Sequence, residues 1–231
     1  MESAGRFRHH SDYHRCRCDP VGGKSRRRLS IVRRRSIAAA LVLAALVAGG
    51  IALRGSGPVP PSEIRGSAAW ARLHYGDPDN PGFRSRKIVE IDFLGRSMLV
   101  HETVRRHFLR LSRLFEARAP EYASVVATGT VDDWSYFNRD VRGEAFKSNH
   151  AFGIAIDVNA LTNTLGASGD MPMEVVRQWE IEGGDWGGDF SRPDPMHFES
   201  HLTPKEIRQR YRPDGTPKGW YLEELSSATA L

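Results

Sequence analysis

The chain has 231 residues, enough for one domain of ordinary size with additions, and a formal charge of +5. The charge is lopsided: residues 1 to 36 hold eleven Lys and Arg against three acids, a local +8, so the rest of the chain carries −3. The high isoelectric point therefore belongs to a tail, which excludes an argument for nucleic-acid binding from charge alone.

The tail is rich in Arg, His, Ser and Gly and poor in apolar residues, a composition that reads as disordered. The only cysteines, Cys16 and Cys18, lie in it; their spacing is too tight for an easy mutual disulfide, and two residues do not complete a zinc site. Gly22-Gly23-Lys24-Ser25 lacks the earlier glycine and the preceding strand of a phosphate loop. Everything after Cys18 is free of cysteine, so the main domain needs no disulfide.

Ile37 to Leu53 is an uncharged apolar run, roughly 25 Å long as a helix. Arg33, Arg34 and Arg35 precede it, so the positive-inside rule keeps the N-terminus in the cytoplasm and sends the rest outward. The long basic region favours a retained single-pass anchor in the cytoplasmic membrane. Small residues at Ala48 and Gly50 leave cleavage and secretion open, and Arg34-Arg35-Ser36-Ile37 loosely fits a twin-arginine signal. Residues 54–67, with three prolines between Gly55 and Gly66, read as a linker, 68–224 as the domain and 225–231 as a loose terminus.

Within the domain, Lys87 to Asp92 and Ser97 to His101 read as a hairpin around Gly95-Arg96. Thr103 to Ala119 carries an apolar stripe (Val104, Phe108, Leu111, Leu114, Phe115), with Thr103 as cap and Pro120 after its end. Ser124 to Thr128 reads as a strand, Trp134 to Val141 as irregular, Phe152 to Val158 as a buried strand and Met173 to Trp179 as a helix. Gly183 to Gly188 reads as loop, Met196 to Glu199 as a last strand, and Thr203 as the cap of a helix running to about Tyr211 with Pro204 in its first turn. The sum is an α+β fold: a small antiparallel sheet with helices packed on it, preceded by one transmembrane helix.

Chemistry concentrates in Ser148 to Asp157 and Asp194 to Glu199. His150 and Asp157 belong to one strand-and-loop unit, and His197 lies in another strand. Together they make a three-ligand set that leaves a fourth tetrahedral position for water, as a hydrolytic zinc requires. Asp194, three residues before His197, is placed to accept a proton. Spacing alone leaves two readings open, a metal site or structural histidines. His101-Glu102 lacks the second histidine of a zincin motif, and His101 and His107 read as surface or core-edge residues. The carboxylate pairs Asp132-Asp133 and Asp185/Asp189 read as loop turns, and Trp134, Trp179, Trp186 and Trp220 as core or cleft wall.

Ser148-x-His150-x-x-Gly153-x-Ala155-x-Asp157, followed by Asp194-x-x-His197, resembles the ligand pattern of the D-Ala-D-Ala zinc metallopeptidases, the VanY-like carboxypeptidases and phage L-alanyl-D-glutamate endopeptidases. Tyr136 to Arg139, Asp157 to Asn159 and Trp186 to Phe190 match as well, so the resemblance covers about Ala123 to Ser200. It implies one Zn²⁺ held by His150, Asp157 and His197, with Asp194 as general base and Arg139 steadying the oxyanion. It also implies Ser148 in the substrate-binding wall, and a peptidoglycan stem peptide as substrate. Arg142 or Lys147 would meet a terminal carboxylate, and Glu199 could orient a ligand. The flanking sequence leans to a D-alanyl-D-alanine carboxypeptidase over an endopeptidase. Two rivals of other classes are a catalytically silent cell-wall-binding module, which would have no need of Asp194 and Arg139, and a tail that binds nucleic acid or lipid. Beside a membrane span the tail would meet anionic lipid first. The expected partners are thus a stem peptide and, through residues 37–53, the lipid bilayer, with no nucleic acid.

Overall fold

The computed structural model describes residues 59–129 and 133–228. The basic tail, the apolar run Ile37–Leu53, residues 54–58 of the expected linker, Asp132 and the last three residues lie outside them. Among the described residues no helix is long and apolar enough to cross a membrane.

Ser67 opens the first helix, α1 (Ala68–Tyr75), by accepting a hydrogen bond from the Trp70 amide at 3.1 Å. A short helix, α2 (Phe83–Lys87), leads into the hairpin of β1 (Ile88–Phe93) and β2 (Arg96–His101), paired from Ile88↔His101 to Phe93↔Arg96. Alternation puts Ile91 and Phe93 of β1, and Met98 and Val100 of β2, into the core. The apolar stripe then forms α3 (Arg105–Arg118), which buries Phe108, Leu111, Leu114 and Phe115. Thr103 does not cap it; Val104 occupies that place with no side-chain hydrogen bond.

Ser124 to Thr128 is not a strand. It belongs to α4 (Pro120–Thr128), which Pro120 starts at its first turn, where a missing N–H costs nothing. Buried Ala123 and Val126 lie three apart while Val125 is exposed, a helical rather than an alternating pattern. The two valines had suggested β structure, and packing overrides that weak preference.

The expected strand Phe152–Val158 divides in two. Asn149–Phe152 is a 3₁₀ turn, and only Ala155–Asp157 forms β3. The glycine-rich run 183–188 is not all loop: after α5 (Met173–Ile181) it supplies β4 (Gly184–Trp186) and a further 3₁₀ turn, Gly187–Asp189. Strand β5 (His197–Ser200) offers a second edge for β4 to pair with, and Trp186 is buried there. The result is a three-stranded antiparallel sheet in the order β3-β5-β4. Thr203 and Glu206 then form a reciprocal capping box for α6 (Pro204–Arg210). The last helix, α7 (Gly219–Ala228), buries Tyr221 and Leu225. The fold is α+β, as expected.

The core lies between this sheet and helices α3 and α5. Phe198 of β5 meets Phe115 edge-on at 5.9 Å and Trp179 at 6.4 Å. His101 and His107 are both buried, not at the surface or core edge. His107 stacks on Trp179 with centroids 3.9 Å apart and shares a hydrogen bond with Ser200 Oγ at 2.8 Å. Complete burial holds it neutral, its pKa well below the usual histidine range. Beneath it Glu182, fully buried, receives a two-pronged pair from Arg110 and hydrogen bonds from Gln178 and Tyr211.

Candidate functional site

Two elements bring the site together. Strands β3 and β5 pair so that Asp157 stands directly opposite His197, and Phe198 beside His197 points into the core. The 3₁₀ turn before β3 carries His150. Ser148 starts that turn by accepting from the His150 amide at 3.4 Å. Gly153 ends it at φ +69°, in the left-handed region, and a Cβ there would lie 2.7 Å from the His101 amide nitrogen. The motif glycine is thus required by both backbone conformation and space. Residues 134–137 run alongside: Trp134 exchanges both backbone hydrogen bonds with Asp157, and Phe137 N donates to His150 O.

The hydrogen bonds decide which ring atoms are bare. His150 Nδ1 lies 2.8 Å from the Ser135 carbonyl, which can only accept, so Nδ1 carries the hydrogen and Nε2 is a lone pair in the neutral ring. His197 Nε2 donates to Glu199 Oε2 at 3.0 Å, leaving Nδ1 bare in the same way. These two bare nitrogens are 3.2 Å apart, and each approaches Asp157 Oδ1, at 3.2 Å from His150 and 3.0 Å from His197. Three lone-pair atoms so disposed repel one another unless a cation lies among them. Ligand atoms about 2.1 Å from a tetrahedral zinc lie roughly 3.4 Å from each other, close to the spacings seen, so the residues present fit such an ion. In the metal-free chain a proton takes that place. Burial opposes charge on His197, but hydrogen bonds to Asp157 and Glu199 outweigh it and raise its pKa to about 10. The Asp157 carboxyl, which burial alone would raise, is held well below the usual range by His150 and His197.

Glu199 is buried and fully engaged. Besides His197 it accepts from Asn149 Nδ2 at 2.6 Å and from His201 Nε2 at 2.6 Å. Asn149 and Ser135 were not singled out from the sequence. Asn149 sits between two motif residues, which was the available signal. Ser135 acts through its carbonyl, which no sequence motif can display.

Asp194 lies in the turn before β5, where its carbonyl accepts from the His197 amide at 3.0 Å. Its Oδ1 is buried with no hydrogen-bond partner among the described residues. Burial raises its carboxyl pKa and Asp157 adds to the effect, while His197, His150 and Arg139 pull it down. A carboxylate oxygen free of hydrogen-bond partners among the described residues, beside a metal-ligand cluster, is suited to accept a proton.

The cluster opens into a groove of about 1500 Å³ that Asp194, Arg139, Arg142 and Ser148 also line. Arg139 is exposed, and its guanidinium makes a long hydrogen bond of 3.4 Å to the Asp140 carbonyl. Arg142 is exposed. Lys147, the alternative cation, is committed to Asp79 at 2.9 Å and Asp140 at 3.2 Å. Ser148 borders the groove, but its hydroxyl is engaged at the turn it caps. Trp134 borders the groove as an exposed ring and Trp220 is exposed elsewhere, whereas Trp179 and Trp186 are core. Asp133 is tied to Arg96 at 3.2 Å and to the Asn159 amide, a structural role.

A family model described as D-alanyl-D-alanine carboxypeptidase matches residues 142–200, the stretch that carries His150, Asp157, Asp194 and His197. Over that segment the chain is similar to a family of zinc-dependent peptidases. No curated protein and no solved structure matches the chain.

Proposed function

We propose that this chain is a zinc peptidase that hydrolyses peptidoglycan stem peptides, as a D-alanyl-D-alanine carboxypeptidase. The observation that carries the reading is the convergence of His150 Nε2, His197 Nδ1 and Asp157 Oδ1 in a groove that also holds Asp194, whose buried Oδ1 has no hydrogen-bond partner among the described residues. Zinc held by these three residues supplies a Lewis acid that acidifies water and polarises the scissile carbonyl.

Asp194 accepts the proton of the attacking water as its oxygen bonds to the carbonyl carbon. It later delivers that proton to the leaving nitrogen as the C–N bond breaks. The Arg139 guanidinium donates to the carbonyl oxygen as negative charge develops there. Glu199 keeps Nε2–H on His197, which leaves Nδ1 free to serve as a ligand. A carboxypeptidase must also bind a terminal carboxylate. Arg142 and Arg192 are exposed on the groove with no ion pair among the described residues, and either supplies the cation. Ile37–Leu53 anchors the domain outside the cytoplasmic membrane, a reading that rests on the apolar run and its flanking arginines.

The test is mass spectrometry of a stem pentapeptide incubated with the full chain and one equivalent of zinc. Loss of one alanine from the C-terminus is the expected product. Cleavage between L-alanine and D-glutamate would reassign the chain to the endopeptidase branch, and an intact peptide would sink the reading. For the anchor, retention of the chain in membranes after alkaline extraction is expected, and its release into the supernatant would overturn that part.

A further inference from the structure

Residues 61–67, assigned by composition to a linker, are built against the site. Arg65 donates to the His201 carbonyl at 2.7 Å and forms a two-pronged pair with Glu206, both contacts at 2.9 Å. Glu206 is itself fixed by the capping box of α6. Gly66 follows at φ +78°, and a Cβ there would fall 2.2 Å from His201 Nε2, so the chain passes directly over that ring. Ser67 then caps α1, and its hydroxyl donates back to the Pro61 carbonyl at 2.5 Å. Pro61, Gly66 and Ser67 are one wall of the same groove that His150, Asp157 and His197 line.

The link from this arm to the ligands is one side chain. The Asn149 amide nitrogen donates to the Gly66 carbonyl at 2.9 Å and to Glu199 Oε2 at 2.6 Å. Glu199 Oε2 is also the atom that accepts from His197 Nε2. The amide orientation is set by chemistry: turned over, its oxygen would face two acceptors. Its actual oxygen is buried and has no partner among the described residues, so both of its committed contacts are donations from the nitrogen.

We propose that Asn149 is a positioning residue that couples the docked arm 61–67 to the metal-ligand cluster, so that the segment entering the domain is part of the catalytic apparatus. Docked, the arm fixes Asn149, Asn149 fixes Glu199, and Glu199 holds His197 with Nδ1 turned to Asp157 and His150. Released, the arm leaves Asn149 without its Gly66 tether, so Glu199, and through it His197, is held less firmly. The inference rests on the zinc-peptidase reading, although its test does not need peptide turnover.

The experiment measures zinc affinity of the full chain by competition with a chelator, for wild type, Asn149→Ala, Arg65→Ala and the double variant. Arg65 is surface-exposed, so its truncation leaves the core untouched. Asn149→Ala is expected to weaken zinc about 10- to 100-fold, the range for lost outer-shell partners. Arg65→Ala is expected to weaken it by a smaller factor, with Arg65→Lys recovering part of the loss. The double variant is expected to bind no worse than Asn149→Ala, because both changes cut one path. In zinc-loaded wild type the His197 Nε2 proton is expected to exchange slowly in NMR spectra, and in Asn149→Ala to exchange fast. Unchanged affinity in Asn149→Ala, or a double variant whose loss is the product of the two single losses, would overturn the proposal and leave the peptidase reading standing. A wild type that shows the expected coupling yet cleaves no stem peptide would overturn the peptidase reading alone.

Discussion

Asp157 and His197 face each other across the β3–β5 pair, with His197 Nδ1 3.0 Å from Asp157 Oδ1. The register that joins them also buries Phe198 against Phe115 and Trp179. A slip of β5 by one residue would send His197 into the core and Phe198 into the groove, so the hydrophobic core and the metal-ligand set specify each other.

The same pair gives a pH dependence. In the metal-free chain the folded-state pKa of His197, about 10, lies above its ordinary 6.5. A group raised in this way contributes stability fully below the unfolded pKa, and that stability is lost as pH rises through the folded one. Metal-free protein should therefore lose thermal stability between pH 7 and pH 10. Zinc-loaded protein should not lose this contribution, because the ion occupies the proton's place. Zinc affinity should rise over the same window as His197 gives up its proton. Melting curves with zinc or with chelator at the two pH values check this.

Glu199→Gln keeps the shape of the side chain and removes its charge. Gln can still accept from His197, but it loses the charge-assisted strength of that bond. Zinc affinity should fall about 10- to 100-fold with the fold intact. Equilibrium dialysis beside a circular dichroism spectrum separates the two outcomes.

Gly153→Ala places a Cβ in the left-handed region and 2.7 Å from the His101 amide nitrogen. The strain alone is worth roughly 1–3 kcal/mol, and the clash adds to it. Denaturant unfolding should show the loss, and zinc affinity should fall with it because Gly153 closes the turn that carries His150.

Glu182 does not line the groove and tests the core by itself. Glu182→Ala leaves Arg110, Gln178 and Tyr211 without their shared acceptor. Removing one partner of a buried pair costs about 3–5 kcal/mol. Chemical denaturation should show a loss of that size, while the zinc stoichiometry of the folded fraction stays at one.

Much of this was legible in the sequence because it is written as periodicity or as motif. Alternation gave the hairpin, the stripe from Val104 to Phe115 gave α3, and Thr203-Pro204 gave the start of α6. The motif residues His150, Asp157 and His197 do converge. The misses have physical causes. Val125 and Val126 favour strands in isolation, but Pro120 and the three-residue spacing of Ala123 and Val126 made a helix. The run 183–188 looked unfit for anything but loop, yet β5 had a free edge to fill. His107 is as polar as a surface residue, and the stacked rings of Trp179 and Tyr211 with the Ser200 hydroxyl explain its burial. Residues 61–67 have the composition of a linker, and nothing local reveals that Arg65 finds Glu206 141 positions away.

The most direct measurement is a zinc titration of turnover on the full chain, made in parallel with Asp194→Asn. Wild type should be inactive after chelation and should release D-alanine from a stem pentapeptide in proportion to added zinc, levelling at one equivalent. Asp194→Asn should bind the same equivalent and lose about 10²- to 10⁴-fold in rate. Turnover that is independent of zinc, or an Asp194→Asn variant as active as wild type, would contradict the account.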